Sequence, residues 1–246
     1  MSDKGFVLIL GAKSDMAQSI AREYAGLGFN LYLAARNVAD LESLQSDLQI
    51  RHQVEVRLLE WDALKLEEQS NFYQGLAPAP VGVVTALGFL GDQTQAQQDA
   101  ALAQKILQSN FNALVAVLEP IAADFEQKQS GFIVGISSVA GDRGRKANYI
   151  YGSAKAGFSA YLSGLRNRLA EADVQVLTVK PGFVATKMTA GMDLPEKLTA
   201  QPEQVAKMVV KAQQKGRNVI YVKPIWWLVM LIIRHIPEVI FKKMSI

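Results

Sequence analysis

The feature that most restricts the fold is a repeated alternation of short, unbroken apolar runs with longer amphipathic stretches. FVLIL (6–10) stops at Gly11, and a segment from about Asp15 to Leu27 follows with Met16, Ile20, Tyr24 and Leu27 on one helical face. LYLAA (31–35) precedes a helical stretch from about Asp40 to Ile50, and VEVRLLEW (54–61) and VGVVTAL (81–87) are further runs. A long helical region covers about Gln95 to Gln127, and GFIVGIS (131–137) and VQVLTV (174–179) flank a helix from about Tyr151 to Ala172. NVIYV (218–222) comes last. Strands that are apolar without alternation must be covered on both faces, which marks a parallel sheet, and parallel neighbours need crossover helices. Right-handed crossovers then make a doubly wound parallel sheet, a Rossmann-type α/β fold with helices on both faces, the economical topology. One domain is expected over residues 1–222, with an apolar and basic extension over 223–246.

Composition narrows the class of partner. Half of the 246 residues are hydrophobic and a fifth are charged, so a sizeable core is expected and disorder is not. Cysteine is absent and the histidines are only His52 and His235, so neither disulfides nor a metal site are expected. A net charge of +3 is too small to imply nucleic-acid binding. The start, MSDKGFVLILGAKSD, lacks the basic end, longer apolar core and cleavage site of a signal peptide, so a cytoplasmic location is expected.

In a doubly wound sheet, ligands sit beyond the carboxyl ends of the strands. LGAKSDMAQSIA lies there, and Gly11 suits a tight turn against a pyrophosphate, with Lys13, Ser14, Asp15 and Met16 as neighbouring candidates for dinucleotide contact. The further glycines of a full fingerprint are replaced by Asp15 and Ala17, so an ordinary βα turn with a capping residue reads the same way. Arg36, just past the second strand, is placed to hold an adenosine 2′-phosphate or to be a plain surface cation. Asp62, with Ala63 beside it, is placed to accept from an adenine amino group or to cap a helix.

The densest polar stretch is SSVAGDRGRKANYIYGSAKAGF, residues 137–158. Reduction of a carbonyl needs a proton donor whose pKa is brought toward neutrality, and tyrosine ordinarily titrates near ~10. A lysine four residues on lies on the same helical face and should lower that pKa, which selects Tyr151 and Lys155 over Tyr149. Ser138, at a strand end thirteen residues before Tyr151, could orient the substrate oxygen.

With these residues the chain resembles the short-chain dehydrogenase/reductase family over essentially its whole length. Gly11, Asp62, the ALG turn (Ala86, Leu87, Gly88), Asn110, Ser138, Tyr151, Lys155 and KPGFVATKM (180–188) appear in the family's order. The resemblance implies an NAD(P)-dependent oxidoreductase in which Tyr151 is the general acid. It makes Lys155 a ribose contact, Ser138 the holder of the substrate oxygen and Asn110 the anchor of a water relay. Ala86, Leu87, Gly88, Pro181, Gly182, Val184 and Thr186 would border the nicotinamide. Leu87 departs from the family's asparagine. Arg36 favours NADP as cofactor, with NAD as the alternative.

A narrower resemblance links ALGFLGD (86–92), AGDRGRKANYIYGSAKAG (140–157) and RHIPEVIFKKMSI (234–246) to the decaprenylphosphoryl-2-keto-pentose reductases. It implies a lipid-linked keto-sugar substrate and a flavin oxidase as partner. The alternatives are another small-molecule carbonyl or alcohol, such as a 3-oxoacyl thioester or steroid-like compound, and a non-catalytic dinucleotide sensor. Arg143, Arg145 and Lys146 then become candidates for a substrate phosphate, against the plain reading of a solvated loop. Ile225 to Ile233 is nine apolar residues, about 14 Å as helix and short of a span. With Arg234, Lys242 and Lys243 after it, the tail suits peripheral contact with the inner face of a membrane, or a homo-oligomer interface.

Overall fold

The computed structural model describes residues 4–244, so the ends of the two expected segments, residues 1–3 and 245–246, lie outside the described residues. The apolar runs form strands β1 (Phe6–Leu10), β2 (Asn30–Ala35), β3 (Val56–Glu60), β4 (Gly82–Thr85), β5 (Gly131–Ile136) and β6 (Val174–Lys180). Two short strands follow, β7 (Phe183–Val184) and β8 (Thr199–Ala200), and then β9 (Val219–Tyr221). The main sheet has seven parallel strands in the order β3-β2-β1-β4-β5-β6-β9, while β7 and β8 pair with each other. It is the doubly wound Rossmann-type sheet. The reversal of order beside β1 opens a crevice between β1 and β4.

Alternate strand residues feed two cores. Val7, Ile9, Leu31 and Leu33 face α1 (Asp15–Gly26) and α2 (Glu42–His52). Phe6, Leu8, Leu10 and Val83 face the other layer, built from α3 (Gln69–Gln74) and two helices described below. Register brings the strand ends level: Leu10 lies opposite both Ala34 and Thr85, and Ile136 opposite Val179. The loops after β1, β4, β5 and β6 therefore meet along one edge.

The single helix expected over 95–127 is divided. Asp92 caps α4 (Gln93–Ala96), and Asp99 accepts from the N–H groups of Ala101 and Leu102 to start α5 (Ala100–Leu107). A π-helical turn, 108–112, then leads into α6 (Ala113–Lys128). The stretch from Ala100 to Lys128 is long and apolar enough to cross a membrane, but half of its most apolar window is buried in the fold. The second layer is completed by α7 (Tyr149–Arg168), whose Phe158 and Leu162 are fully buried.

The pattern reading had no helix over α8 (Pro202–Gln214), which joins the first layer through Val205, Ala206 and Val209. Pro202 at its first turn and the reciprocal caps of Gln201 and Gln204 fix its start. Beyond β9, the apolar tail forms α9 (Ile225–His235) and α10 (Glu238–Phe241). It is not apolar on a free surface all round, because Trp226 and Met230 are buried. An added Cβ on Gly182 would stand 1.9 Å from the Trp226 ring, so this turn accepts only glycine while the tail is docked. Trp226 Nε1 also donates to Leu198 O at 2.9 Å. The apolar tail thus begins with a helix that packs on the loop after β6.

Candidate active site

The site begins with the two serines after β5. Ser137 points inward, donating to Lys155 O at 3.0 Å and sharing a 2.7 Å hydrogen bond with Ser159 Oγ. It pins α7 to the sheet. Ser138, one residue on, faces the opposite way in extended backbone. Sheet-like bonding persists past the strand ends, from Ser137 N–H to Val179 O and from Val139 N–H to Pro181 O. Ser138 is thereby held beside the Pro181–Gly182 turn.

On α7, Tyr151 and Lys155 share one face, with the Lys155 Nζ 5.7 Å from the Tyr151 ring centre. The Ser138 hydroxyl hydrogen-bonds the Tyr151 phenol, which lowers its pKa, but burial dominates and pushes it up to about 12. Tyr151 is therefore a protonated donor at neutral pH. Lys155 is 2% exposed, and its Nζ donates only to the carbonyls of Ile136 (3.1 Å) and Leu87 (3.5 Å). Burial without a carboxylate pulls Lys155 down to about 7. Burial and the Ser138 hydrogen bond are the causes that set the Tyr151 pKa here, and burial also lowers the share of Lys155 that is charged to act on it. Tyr149 is instead 42% exposed, and Ser153 donates to its carbonyl.

Asn110 sits fully buried in the π turn. Its Oδ1 accepts from Phe89 N–H at 3.2 Å, and its Nδ2 donates to Phe89 O and Ile106 O. Both ends of the amide are engaged in holding the loop after β4. Gly88 lies within that loop, and a Cβ there would be 3.4 Å from Asn110 Oδ1 and 3.9 Å from Lys155 Nζ. Leu87 contributes through its backbone carbonyl, so the departure from asparagine leaves the Lys155 contact intact. Ala86 is buried beside it.

Gly11 has φ +81°, and a Cβ there would lie 3.0–3.1 Å from the backbone of Ala86 and Leu87. The two loops therefore meet closely at the crevice, and the N-terminus of α1 opens onto it, capped by Ser14 accepting from Ala17 N–H. Such a turn fits a dinucleotide pyrophosphate. Asp15 is turned away from repulsive duty: its Oδ2 accepts from Lys187 N–H at 2.7 Å and ties the loop after β7 to α1. Lys13 pairs with Asp40 at the surface. Arg36 is exposed just past β2. Asp62 Oδ1 accepts from Leu64 N–H, so this carboxylate closes a local turn, and Ala63 is buried next to it.

A cleft of about 460 Å³ brings Ser138, Tyr151, Pro181, Gly182, Val184 and Thr186 together with Met16. Sequence reasoning missed Gln93, Asn148, Met188, Met192 and Trp226, which line the same cleft. Trp226 carried a signal as an aromatic residue in an apolar tail that had to be covered, while Asn148 and Met188 lie within the quoted motifs without a role of their own. The basic loop divides: Arg145 lines the cleft, Lys146 is exposed, and Arg143 is committed elsewhere. Arg143 donates to Ile233 O (2.6 Å) and Ile236 O (2.7 Å), pairs with Glu238 and lies 3.6 Å from the Phe241 ring centre. It fastens the α9–α10 hairpin to the loop carrying Ser138.

The short chain dehydrogenase family model matches residues 5–197. The chain belongs to the short-chain dehydrogenase family. It is similar along its length to an uncharacterized oxidoreductase of Mycobacterium tuberculosis, 36% identical over 251 residues and 99% of each chain. An uncharacterized oxidoreductase from the mprA 5′ region of Streptomyces coelicolor is 32% identical over 98% of this chain and 96% of its own. In fold it is similar to a short-chain dehydrogenase from Sphingobium yanoikuyae in complex with NADPH. That likeness has a TM-score of 0.83 at 24% identity, covering 95% of this chain and 97% of that one. The chain is an NAD(P)-dependent oxidoreductase of this family.

Proposed function

We propose that the chain is an NADPH-dependent reductase of a ketone, with Ser138, Tyr151 and Lys155 as the reacting set. The observation that carries this reading is the Tyr151 phenol, hydrogen-bonded to Ser138 in a shared cleft beside the buried Lys155. Bound NADPH supplies the hydride to the carbonyl carbon. Ser138 donates to the carbonyl oxygen, Tyr151 gives that oxygen its phenolic proton, and the alcohol leaves. Lys155, poised near neutrality, returns a proton to the phenolate. Asn110 holds the loop after β4 against Lys155, a positioning role beside the relay that the family resemblance implies. Ketone-dependent NADPH oxidation, with NADPH binding followed separately by fluorescence, tests the reading; binding without turnover on any ketone would leave only the sensor alternative.

The NADPH preference rests on Arg36, exposed where the 2′-phosphate would lie, and on the NADPH held by the structural relative. Arg36→Ala is expected to weaken NADPH binding about tenfold or more and NADH binding little, because a charge-assisted contact to phosphate is lost. Equal losses would remove Arg36 from that role.

The finer substrate we favour is a polyprenyl-phosphate-linked keto-pentose, whose ketone a flavin oxidase would supply. Its support is the motif resemblance together with the apolar tail beside the cleft. Trp227, Leu228, Leu231, Ile232, Val239 and Ile240 are exposed large apolar residues, and Arg234, Lys242 and Lys243 are exposed among them. Apolar side chains flanked by cations complement an anionic lipid surface, so we assign this hairpin to peripheral membrane contact. Changing Trp227 and Ile232 to serine leaves Trp226 and Met230 in place. It is expected to reduce sedimentation with phosphatidylglycerol vesicles at least tenfold. Loss of a dimer on gel filtration, with vesicle binding intact, would instead assign the face to a second copy.

A further inference from the structure

One wall of the cleft is polar in an unusual way. Among the described residues, four buried side-chain polar atoms lack a hydrogen-bond partner, and three of them, Gln93 Nε2, Arg145 Nε and Asn148 Oδ1, belong to residues lining this cleft. Buried donors and acceptors are nearly always paired, so three orphans on one wall indicate groups kept open for a ligand. Their frames are fixed. Gln93 Oε1 accepts from Ile150 N–H at 3.1 Å, which orients its amide nitrogen, and Asn148 N–H donates to Arg145 O at 3.1 Å. Asn148 occupies the N-cap position of α7, where asparagine normally caps, yet its side chain makes no capping bond. The nearby carboxylate of Asp142 attracts Arg145 through charge without pairing with it, since its two oxygens are engaged by Lys180 (2.5 Å) and the Tyr221 hydroxyl (2.7 Å).

We infer that Gln93, Arg145 and Asn148 form a headgroup subsite for a hydroxylated, anionic substrate such as a sugar phosphate, beside the reacting ketone. An arginine without a carboxylate partner suits a phosphate oxygen. Hydroxyl groups both donate and accept, so a polyol satisfies the free donor of Gln93 and the free acceptor of Asn148 alike. Met188, Met192 and Trp226 give the same cleft an apolar lining that suits an aliphatic continuation of the same molecule. This inference rests on the reductase reading and narrows its substrate.

The test compares ribulose 5-phosphate, ribulose and a farnesyl-phosphate-linked 2-keto-pentose, measuring kcat/KM by NADPH oxidation. The wild-type protein is expected to prefer ribulose 5-phosphate to ribulose by tenfold or more. Arg145→Met should bring that ratio to about one, chiefly through KM, and Arg145→Lys should keep part of it. Gln93→Leu should raise KM for both sugars. Greater Arg145-dependent activity on the farnesyl conjugate than on ribulose 5-phosphate assigns the headgroup to a lipid, and equal activity assigns it to a soluble sugar phosphate. No preference for phosphate in the wild type, or equal losses on both sugars in Arg145→Met, overturns the inference while leaving a reductase of other ketones. If no ketone is reduced, calorimetry of ribulose 5-phosphate binding to wild type and Arg145→Met still decides the subsite: equal affinities, or no binding, overturn it.

Discussion

Tyr151→Phe is expected to lower ketone reduction by roughly 10²–10⁴-fold while NADPH binding and folding are retained. The ring stays, so α7 keeps its packing, and only the hydroxyl that meets Ser138 is removed. Burial holds that phenol at about 12, so it carries its proton at every pH where the protein would be assayed. A donor that is always loaded makes the proton step depend on geometry, and the Phe variant has nothing to donate from that position. Ser138 cannot take over, because an aliphatic hydroxyl is a far weaker acid than a phenol and only hydrogen-bonds the carbonyl oxygen. Tyr149→Phe is the control, since Tyr149 is exposed and outside the cleft. Activity in Tyr151→Phe within threefold of wild type would show that another group protonates the substrate.

What the sequence made legible followed the range of each signal. Continuous apolar runs such as FVLIL and GFIVGI became strands because burial on both faces is a local demand on composition. Tyr151 and Lys155 were readable because four residues along a helix is a local geometry. The charge relation between them was not, because the depth of Lys155 depends on β4, β5 and the loop at Leu87. Arg143 and Arg145 are two residues apart in one basic run, and nothing local separates them. Their roles diverge only because α9 returns from the end of the chain and offers its last carbonyls to Arg143. Gln93 begins α4 and Asn148 precedes α7, and nothing local to either marks it as a neighbour of the other. Asp15 stands where a full fingerprint has glycine, and the loop at Lys187, 172 residues later, gives its carboxylate a partner. The break in the long helix was readable in principle, since Asp99 lies inside the expected stretch as an N-cap; the run from Gln95 to Asp99 holds no glycine or proline to mark it.

Lys155→Met is expected to abolish efficient reduction and at the same time to stabilise the nucleotide-free protein. In the folded chain Lys155 titrates at about 7, against 10.5 for an ordinary lysine, because burial disfavours its charged form. Between those values the unfolded chain binds a proton that the native state resists, so on this account stability rises with pH across the window. The penalty is complete below about pH 7 and gone above 10.5, and its ceiling is about 5 kcal/mol from the size of the drop. Methionine fills similar space without a charge to desolvate, although it forfeits the bonds to Ile136 O and Leu87 O, so the net gain falls below that ceiling. Urea unfolding of both proteins at pH 7 and pH 10 measures it: the advantage of the variant should be largest at pH 7 and shrink toward pH 10. A difference independent of pH, or a less stable variant at pH 7, would mean that Lys155 is paid for by its carbonyl partners and is held charged. The first outcome identifies a lysine kept buried at the centre of the fold at a cost in stability, as expected of a group that serves the proton of Tyr151.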